Sequence, residues 1–424
     1  MRRVRTVAAA IVIAAALVTA ACSGSDKPAA DPNGPVTMTW WHNGSSEPLK
    51  SLWQQVADDY HAAHPNVSFK VEPIQNEQFQ TKVPLALQSD SPPDLYQQWG
   101  GGNLASQVTS GKVMDITSQT SGLLGPVAEG WQVGGKQYGL PYVRHAVGFW
   151  YRKDLFTKAG VTVPATLDDL NATVAKLRAA GIVPIAIGGK DRWPDAFYWS
   201  YFAVRECGKD ALAASVKTVK LDDPCYQKAG EDVKALLGTN PFQEAFLGTP
   251  AQQGAGSSAG MIAGGQAAME LQGDWQPATM APLTEDKAFA DKVGWFPFPS
   301  VPGGKGDQAA MLGGGDGFSC TTKAPPACVD FLKYLTSVDV QKKLAAAGVG
   351  LPVNPDAAAA LSSAGAKAAV EQVQKAPYTQ TYFDIAFPTA VGQALDDAAA
   401  NLFAGKGDAH SVIDAVNNAA TGGR

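Results

Sequence analysis

The sequence predicts an α/β protein of two units, each a mostly parallel sheet flanked by helices, with a helical region at the C-terminal end. Three observations lead there. With 424 residues, the chain can bury two separate cores. A β-α-β-α-β alternation runs from Val36 to Tyr96 and resumes after Thr166. From Ala327 to Arg424 the pattern is mainly helical.

Taken in order, Val36-Thr37-Met38-Thr39-Trp40-Trp41 is rich in strand formers and ends in the turn residues His42-Asn43-Gly44-Ser45-Ser46. Leu49, Leu52, Trp53, Val56, Ala57 and Tyr60 recur at helical spacing, with Ser46 as the expected N-cap. Val67, Phe69 and Val71 alternate with Ser68, Lys70 and Glu72, the period of a half-buried strand. A helical stretch from Phe79 to Leu87 leads to a short strand at Pro92-Pro93-Asp94-Leu95-Tyr96. In the second unit, a helix from Thr166 to Ala180 opens on Thr166-Leu167-Asp168-Asp169, an acidic capping box, and buries Leu170, Val174 and Leu177. Ile182 to Ile187 reads as a buried strand stopped by Gly188-Gly189, Asp195 to Arg205 as an aromatic helix, and Ala267 to Leu271 as a further strand.

The first residues differ from the rest. Arg2, Arg3 and Arg5 precede an apolar run from Val7 to Val18, too short to span a bilayer stably and therefore a signal peptide, residues 1–21. Thr19-Ala20-Ala21 before Cys22 resembles a lipobox, with Thr19 where leucine is more usual, which makes Cys22 the expected site of lipid attachment. The polar, Gly- and Pro-containing residues 22–35 then read as a flexible tether of roughly 20 Å.

Composition excludes some functions. A net charge of −5 argues against nucleic acid as a partner. The chain has no GxxxxGK[ST] motif and no second hydrophobic span, so it does not pump or channel a solute itself. No cofactor or metal is expected: His42, His145 and His410 are scattered, and the cysteines lack CxxC spacing and a nearby histidine. After Cys22, the four cysteines allow three pairings, of which the sequence-local one, Cys207–Cys225 with Cys320–Cys328, is the simplest.

Ligands of open α/β sheets bind outside the carboxyl ends of strands. At those ends lie Trp41-His42-Asn43, Gln97-Gln98-Trp99 with Gly100-Gly101-Gly102, Asp191-Arg192-Trp193, and Gly273-Asp274-Trp275, and Gly313 to Gly317 reads as a glycine-rich turn. Flat aromatic rings suit the C–H face of a pyranose, and Asn, Gln, Asp, His and Arg suit its hydroxyl rim. Trp53 and Trp131 are assigned to packing, and Asp58-Asp59 and Asp396-Asp397 to solvated helix faces.

These residues carry a resemblance to the extracellular sugar-binding proteins of ABC importers, the maltose-binding-protein-like family. Its strongest signatures are Tyr138-Gly139-Leu140-Pro141-Tyr142, Phe149-Trp150-Tyr151-Arg152-Lys153-Asp154-Leu155-Phe156, Pro164-Ala165-Thr166-Leu167-Asp168-Asp169-Leu170, Gly264-Gly265-Gln266-Ala267-Ala268-Met269 and Phe331-Leu332-Lys333-Tyr334-Leu335. The resemblance implies a two-lobe periplasmic-binding-protein-like fold, type II-like. Its lobes would be 36–144 plus 296–337 and 145–295 plus 338–424, joined by a hinge near 142–147, 293–298 and 335–340. Together with the strand-end reading it gives candidate ligand contacts at His42, Asn43, Ser45, Gln98, Trp99, Gly101, Tyr142 and, near the hinge, Arg144 or His145. Further contacts would come from Trp193, Asp195, Tyr198, Asp274, Trp275, Asp316 and Asp384, with Phe197 and Tyr382 nearby. The expected protein is a lipid-anchored monomer on the outer face of the cell membrane. It would deliver a short, β-linked xylo-, chito- or cello-oligosaccharide to ABC permease subunits and would have no enzymatic activity. The alternatives are a binder of another solute, such as a polyol or peptide, and a secreted glycoside hydrolase built on two carboxylates among Asp195, Asp274, Asp316 and Asp384.

Overall fold

A computed structural model describes residues 34–422; the leader, Cys22 and nearly all of the tether lie outside the described residues. Ten strands form one connected sheet: β1 Val36–His42, β2 Val67–Pro73, β3 Leu95–Gln98, β4 Leu140–Arg152, β5 Val183–Ile185, β6 Ala267–Gly273, β7 Val293–Phe296, β8 Met311–Cys320, β9 Leu351–Pro352 and β10 Thr379–Thr381. The strand order is β2-β1-β3-β8-β4-β6-β5; β7 and β9 also pair with β4, and β10 with β8.

Strand β4 explains why one sheet has two halves. Its first part, from Leu140 to Ala146, pairs with β8, and its second, from Val147 to Arg152, pairs with β6 and β7. The chain therefore passes between halves at the Ala146–Val147 peptide. Outer strands are parallel as expected: β1 with β2 and β3, β5 with β6. The strands that carry the chain between halves, β4 and β8, run antiparallel to each other, β4 also to β6 and β8 also to β3, while β8 and β10 are parallel. The sheet is accordingly mixed rather than mostly parallel.

Each half has its own core. In the first, Trp40 on β1 meets Trp53, Phe318 and Phe331 edge-on at 5.3, 5.3 and 5.1 Å. Val340 and Leu344, on the helix Val338–Ala346, pack into this same core, on the first-lobe side of the expected boundary at 337. In the second, Phe149 stacks on Phe296 at 5.1 Å and Tyr201 on Phe298 at 4.5 Å. Arg205 is 1% exposed there and donates to the carbonyls of Phe298, Pro299 and Ala310 at 2.9, 3.1 and 2.7 Å.

The capping box at Thr166 forms as expected, Asp169 N donating to Thr166 Oγ1 and Thr166 N to Asp169 Oδ2, both at 3.1 Å. Ser46 does not cap the first helix, which runs Leu49–Ala63 after Pro48; Glu47 instead accepts from Ser51 N and Oγ. Gly313 to Gly317 is not a turn. It lies inside β8, where a side chain on Gly314 would strike the Tyr382 ring, and one on Gly315 or Gly317 would strike Trp131. Bare backbone lets those rings lie flat on the sheet.

Both disulfides form in the sequence-local pairing, Cys207–Cys225 and Cys320–Cys328, closing separations of 18 and 8 residues. In the chain-entropy picture each contributes roughly 2.5–3 kcal/mol. Among the described residues no helix is long and apolar enough to cross a membrane.

Candidate ligand-binding site

A cavity of about 530 Å³ opens between the two halves, at the carboxyl ends of the strands. From the first half, Asn43 and Ser45 reach it from the turn after β1, Asn76, Glu77 and Gln80 from the helix after β2, and Trp99 from the end of β3. From the second come Asp191, Trp193 and Phe197, the loop at Gln252 and Gln253, and Trp275 beyond β6. His145 on β4 and Asp316 on β8 form the floor, with Tyr382 and Asp384 beside them. Two bonds already span the walls: Trp193 Nε1 to Glu77 Oε1 and Gln253 Nε2 to Ser45 Oγ, each 3.4 Å.

The floor is held by charge. His145 Nδ1 lies 2.8 Å from Asp274 Oδ1, its Nε2 lies 3.5 Å from Asp316 Oδ2, and Tyr142 Oη donates to Asp316 Oδ2 at 3.2 Å. Burial alone would push the imidazole down, but the two carboxylates outweigh it and raise its pKa to about 10. His145 is therefore a cation at neutral pH, and the Ala146 N–H donates to the same Asp274 oxygen at 3.2 Å.

Aromatic side chains line one side. Trp275 meets His145 edge-on at 4.7 Å and Trp193 at 6.3 Å; Trp193 meets Phe197, and Phe197 meets Tyr382, each at 5.2 Å. A side chain at Gly273 would collide with the Trp275 ring, so glycine at the end of β6 gives that ring its place. The indole N–H of Trp275 and the hydroxyl of Tyr382 are buried without partners. Carboxylates stand among these rings: burial together with Glu77 pushes Asp191 up to about 6, and burial pushes Asp384 up to about 6.

Of the residues expected to touch ligand, Asn43, Ser45, Trp99, His145, Trp193, Trp275, Asp316 and Asp384 line the cavity. The others stand behind it. His42 points with Trp40 into the first core, and burial lowers its pKa to about 3. Gln98 folds back to accept from Trp99 N and Gly100 N at 2.6 and 2.9 Å, and Gly101 faces the Ile385 carbonyl. Tyr142 and Asp274 act through Asp316 and His145. Tyr198 packs on Phe149 and Phe242. Arg144 is partly exposed and Asp195 fully buried, neither on the cavity wall. Trp53 and Trp131 are packing residues. Asp396 is not a solvated residue: one of its oxygens is buried without a partner.

Sequence reasoning missed Asn76, Glu77 and Gln80, although they follow β2 and obey the same strand-end rule. Asp191 adjoins the recognised Trp193. Gln252 and Gln253 lie in a loop that follows no strand and gave no signal. Among the described residues, no group of three His, Cys, Asp or Glu is arranged to hold a metal ion.

The family model for bacterial extracellular solute-binding proteins matches residues 43–342. The multiple sugar-binding protein of Streptococcus mutans is 22% identical over 349 residues, covering 78% of each chain. Two solved structures share the fold. One, described in connection with xylan utilization by the thermophilic bacterium Caldanaerobius polysaccharolyticus, superposes with TM-score 0.83 at 23% identity, covering 91% of this chain and 100% of the other. A chitin oligosaccharide binding protein superposes with TM-score 0.80 at 23% identity, covering 92% and 99%.

Proposed function

The chain belongs to the bacterial extracellular solute-binding protein family, and from that premise we propose that it captures a short, β-linked oligosaccharide for an ABC importer. The family is one of solute receptors, not enzymes. The observation that carries the sugar reading is the pairing of Trp193 and Trp275 with hydrogen-bonding side chains around one cavity. Its 530 Å³ falls inside the range of about 300–1,000 Å³ typical of small-molecule sites. The relatives named for multiple sugars, xylan and chitin oligosaccharides support the same reading.

In this proposal two lobes close on the sugar, with the expected bounds shifted so that β4 crosses at Ala146–Val147, the helix Val338–Ala346 goes with the first lobe and Phe298 with the second. Contacts from both walls form together only in the closed state. The protein acts as a monomer, tethered through a lipid on Cys22, and presents the closed form to permease subunits in the membrane. Ligand contacts are assigned to the eight expected residues that line the cavity, with Tyr142 and Asp274 positioning the floor.

Calorimetry against xylo-, cello-, chito- and malto-oligosaccharides tests this reading, with binding by a β-linked series expected. Stabilisation by a polyol or peptide alone, or protein-dependent shortening of any oligosaccharide, would overturn it. Trp275→Ala is expected to weaken binding by about 1–3 kcal/mol, by loose analogy with aromatic stacking platforms, with little loss of fold stability. Unchanged affinity would remove Trp275 from the site.

A further inference from the structure

Charge in the cavity is one-sided. Glu47, Glu77, Asp191, Asp316 and Asp384 line it, against Lys190 and His145. His145 is already committed to Asp274 and Asp316, and Lys190 is solvent-exposed. Arg192, which might otherwise reach in, is paired with Asp397. Among the described residues, neither Glu77 nor Asp191 is within ion-pair distance of a cation, although the neighbouring Lys190 acts on Asp191 from farther off.

Both of these carboxylates retain unused capacity. Glu77 Oε1 accepts from the Trp193 indole and from Asn76 Nδ2, each at 3.4 Å, while its Oε2 is buried without a partner. One oxygen of Asp191 accepts from Ala251 N at 2.8 Å. Behind them stands Asp195, 0% exposed, with both carboxylate oxygens unpartnered; burial, and then the neighbouring Asp191, push its pKa well above the usual carboxylate range. A second observation comes from the floor of the cavity, beside Asp274, Asp316 and Asp384. Tyr382 is 6% exposed, lines the cavity, and has a hydroxyl without a partner. The wall is built for an occupant that supplies what the protein does not.

We propose that the cleft selects an oligosaccharide bearing an ammonium group, an amino sugar rather than a neutral one, with the cation seated against Glu77 and Asp191 beside the Trp193 ring. The inference rests on the sugar reading and narrows it. A neutral hydroxyl can donate to a buried carboxylate but leaves its charge uncompensated. An ammonium neutralises that charge and brings three donors. The remaining hydroxyls of the ring find Asn43, Asn76 and Tyr382.

The test compares three disaccharides of one linkage by calorimetry at neutral pH. They are the β-1,4-linked disaccharide of glucosamine, its N-acetylated form and cellobiose. The amino sugar is expected to bind at least about tenfold more tightly than the other two. That preference should shrink at about 1 M salt, where charges are screened beyond about 3 Å. Glu77→Gln and Asp191→Asn should each cut the preference by about threefold or more, melting curves reporting whether the variants fold. The wild-type ratio stands even if a variant does not fold. Equal or tighter binding of a neutral sugar overturns the inference and leaves the sugar reading intact. Binding of Ca²⁺ alone at Glu77 and Asp191 also overturns it. Failure of every sugar overturns both.

Discussion

Replacing Asp274 by alanine is expected to lower folding stability by about 3–5 kcal/mol, because it strands a buried charged histidine. His145 and Asp274 are 4% and 2% exposed, so solvent offers little compensation. The lost Asp274 oxygen also accepts the Ala146 N–H, which is left without that acceptor. Urea denaturation of the two proteins measures the difference, and coincident midpoints would show that the pair contributes nothing. The same pair sets a dependence on pH. The folded imidazole titrates near 10 against about 6.5 when unfolded, so folding holds an extra proton between those values. Its stabilisation is complete below about pH 6.5 and is lost as pH rises through about 10. Stability of the wild type should fall over that alkaline window, and the alanine variant should fall less.

Arg205→Met is expected to cost at least about 3 kcal/mol, although methionine fills much of the same volume. The guanidinium satisfies the carbonyls of Phe298, Pro299 and Ala310, and a buried acceptor left unsatisfied costs about 1–3 kcal/mol. These carbonyls belong to the stretch that returns the chain from β7 to β8, so the damage should loosen that passage between halves. Arg205→Lys should recover only part of the loss, since one ammonium cannot reproduce the planar fork. Thermal melting decides it, and a melting point equal to wild type for Arg205→Met would sink the argument.

Much of the fold was legible because local signals and burial agreed. The alternation of Val67, Phe69 and Val71, the capping box at Thr166 and the aromatic helix all form where periodicity put them. The glycine run at 313–317 misled because its role is set by Trp131 and Tyr382, rings distant in sequence that lie across it. The site was half legible for a related reason. Strand ends point to the right neighbourhood, but which side chain faces the cleft depends on pleat and register. Trp99 and Asn43 turn toward the cavity while their neighbours Gln98 and His42 turn back. Tyr198 and Asp195 sit one helical face away from Trp193 and Phe197, and only packing against Phe149 and Phe242 decides which face is wet.

A single strand serves both halves, and its crossing at Ala146–Val147 adjoins His145. Asp274, just past the end of β6, grips both His145 and the Ala146 N–H from the far side. In the proposed closure, a swing of one half about the other would turn near this pinned crossing, and atoms close to it would travel least. A guest that first settles on His145 and Asp316 would find them in place whether the jaws are wide or shut. Its remaining contacts would arrive with the walls.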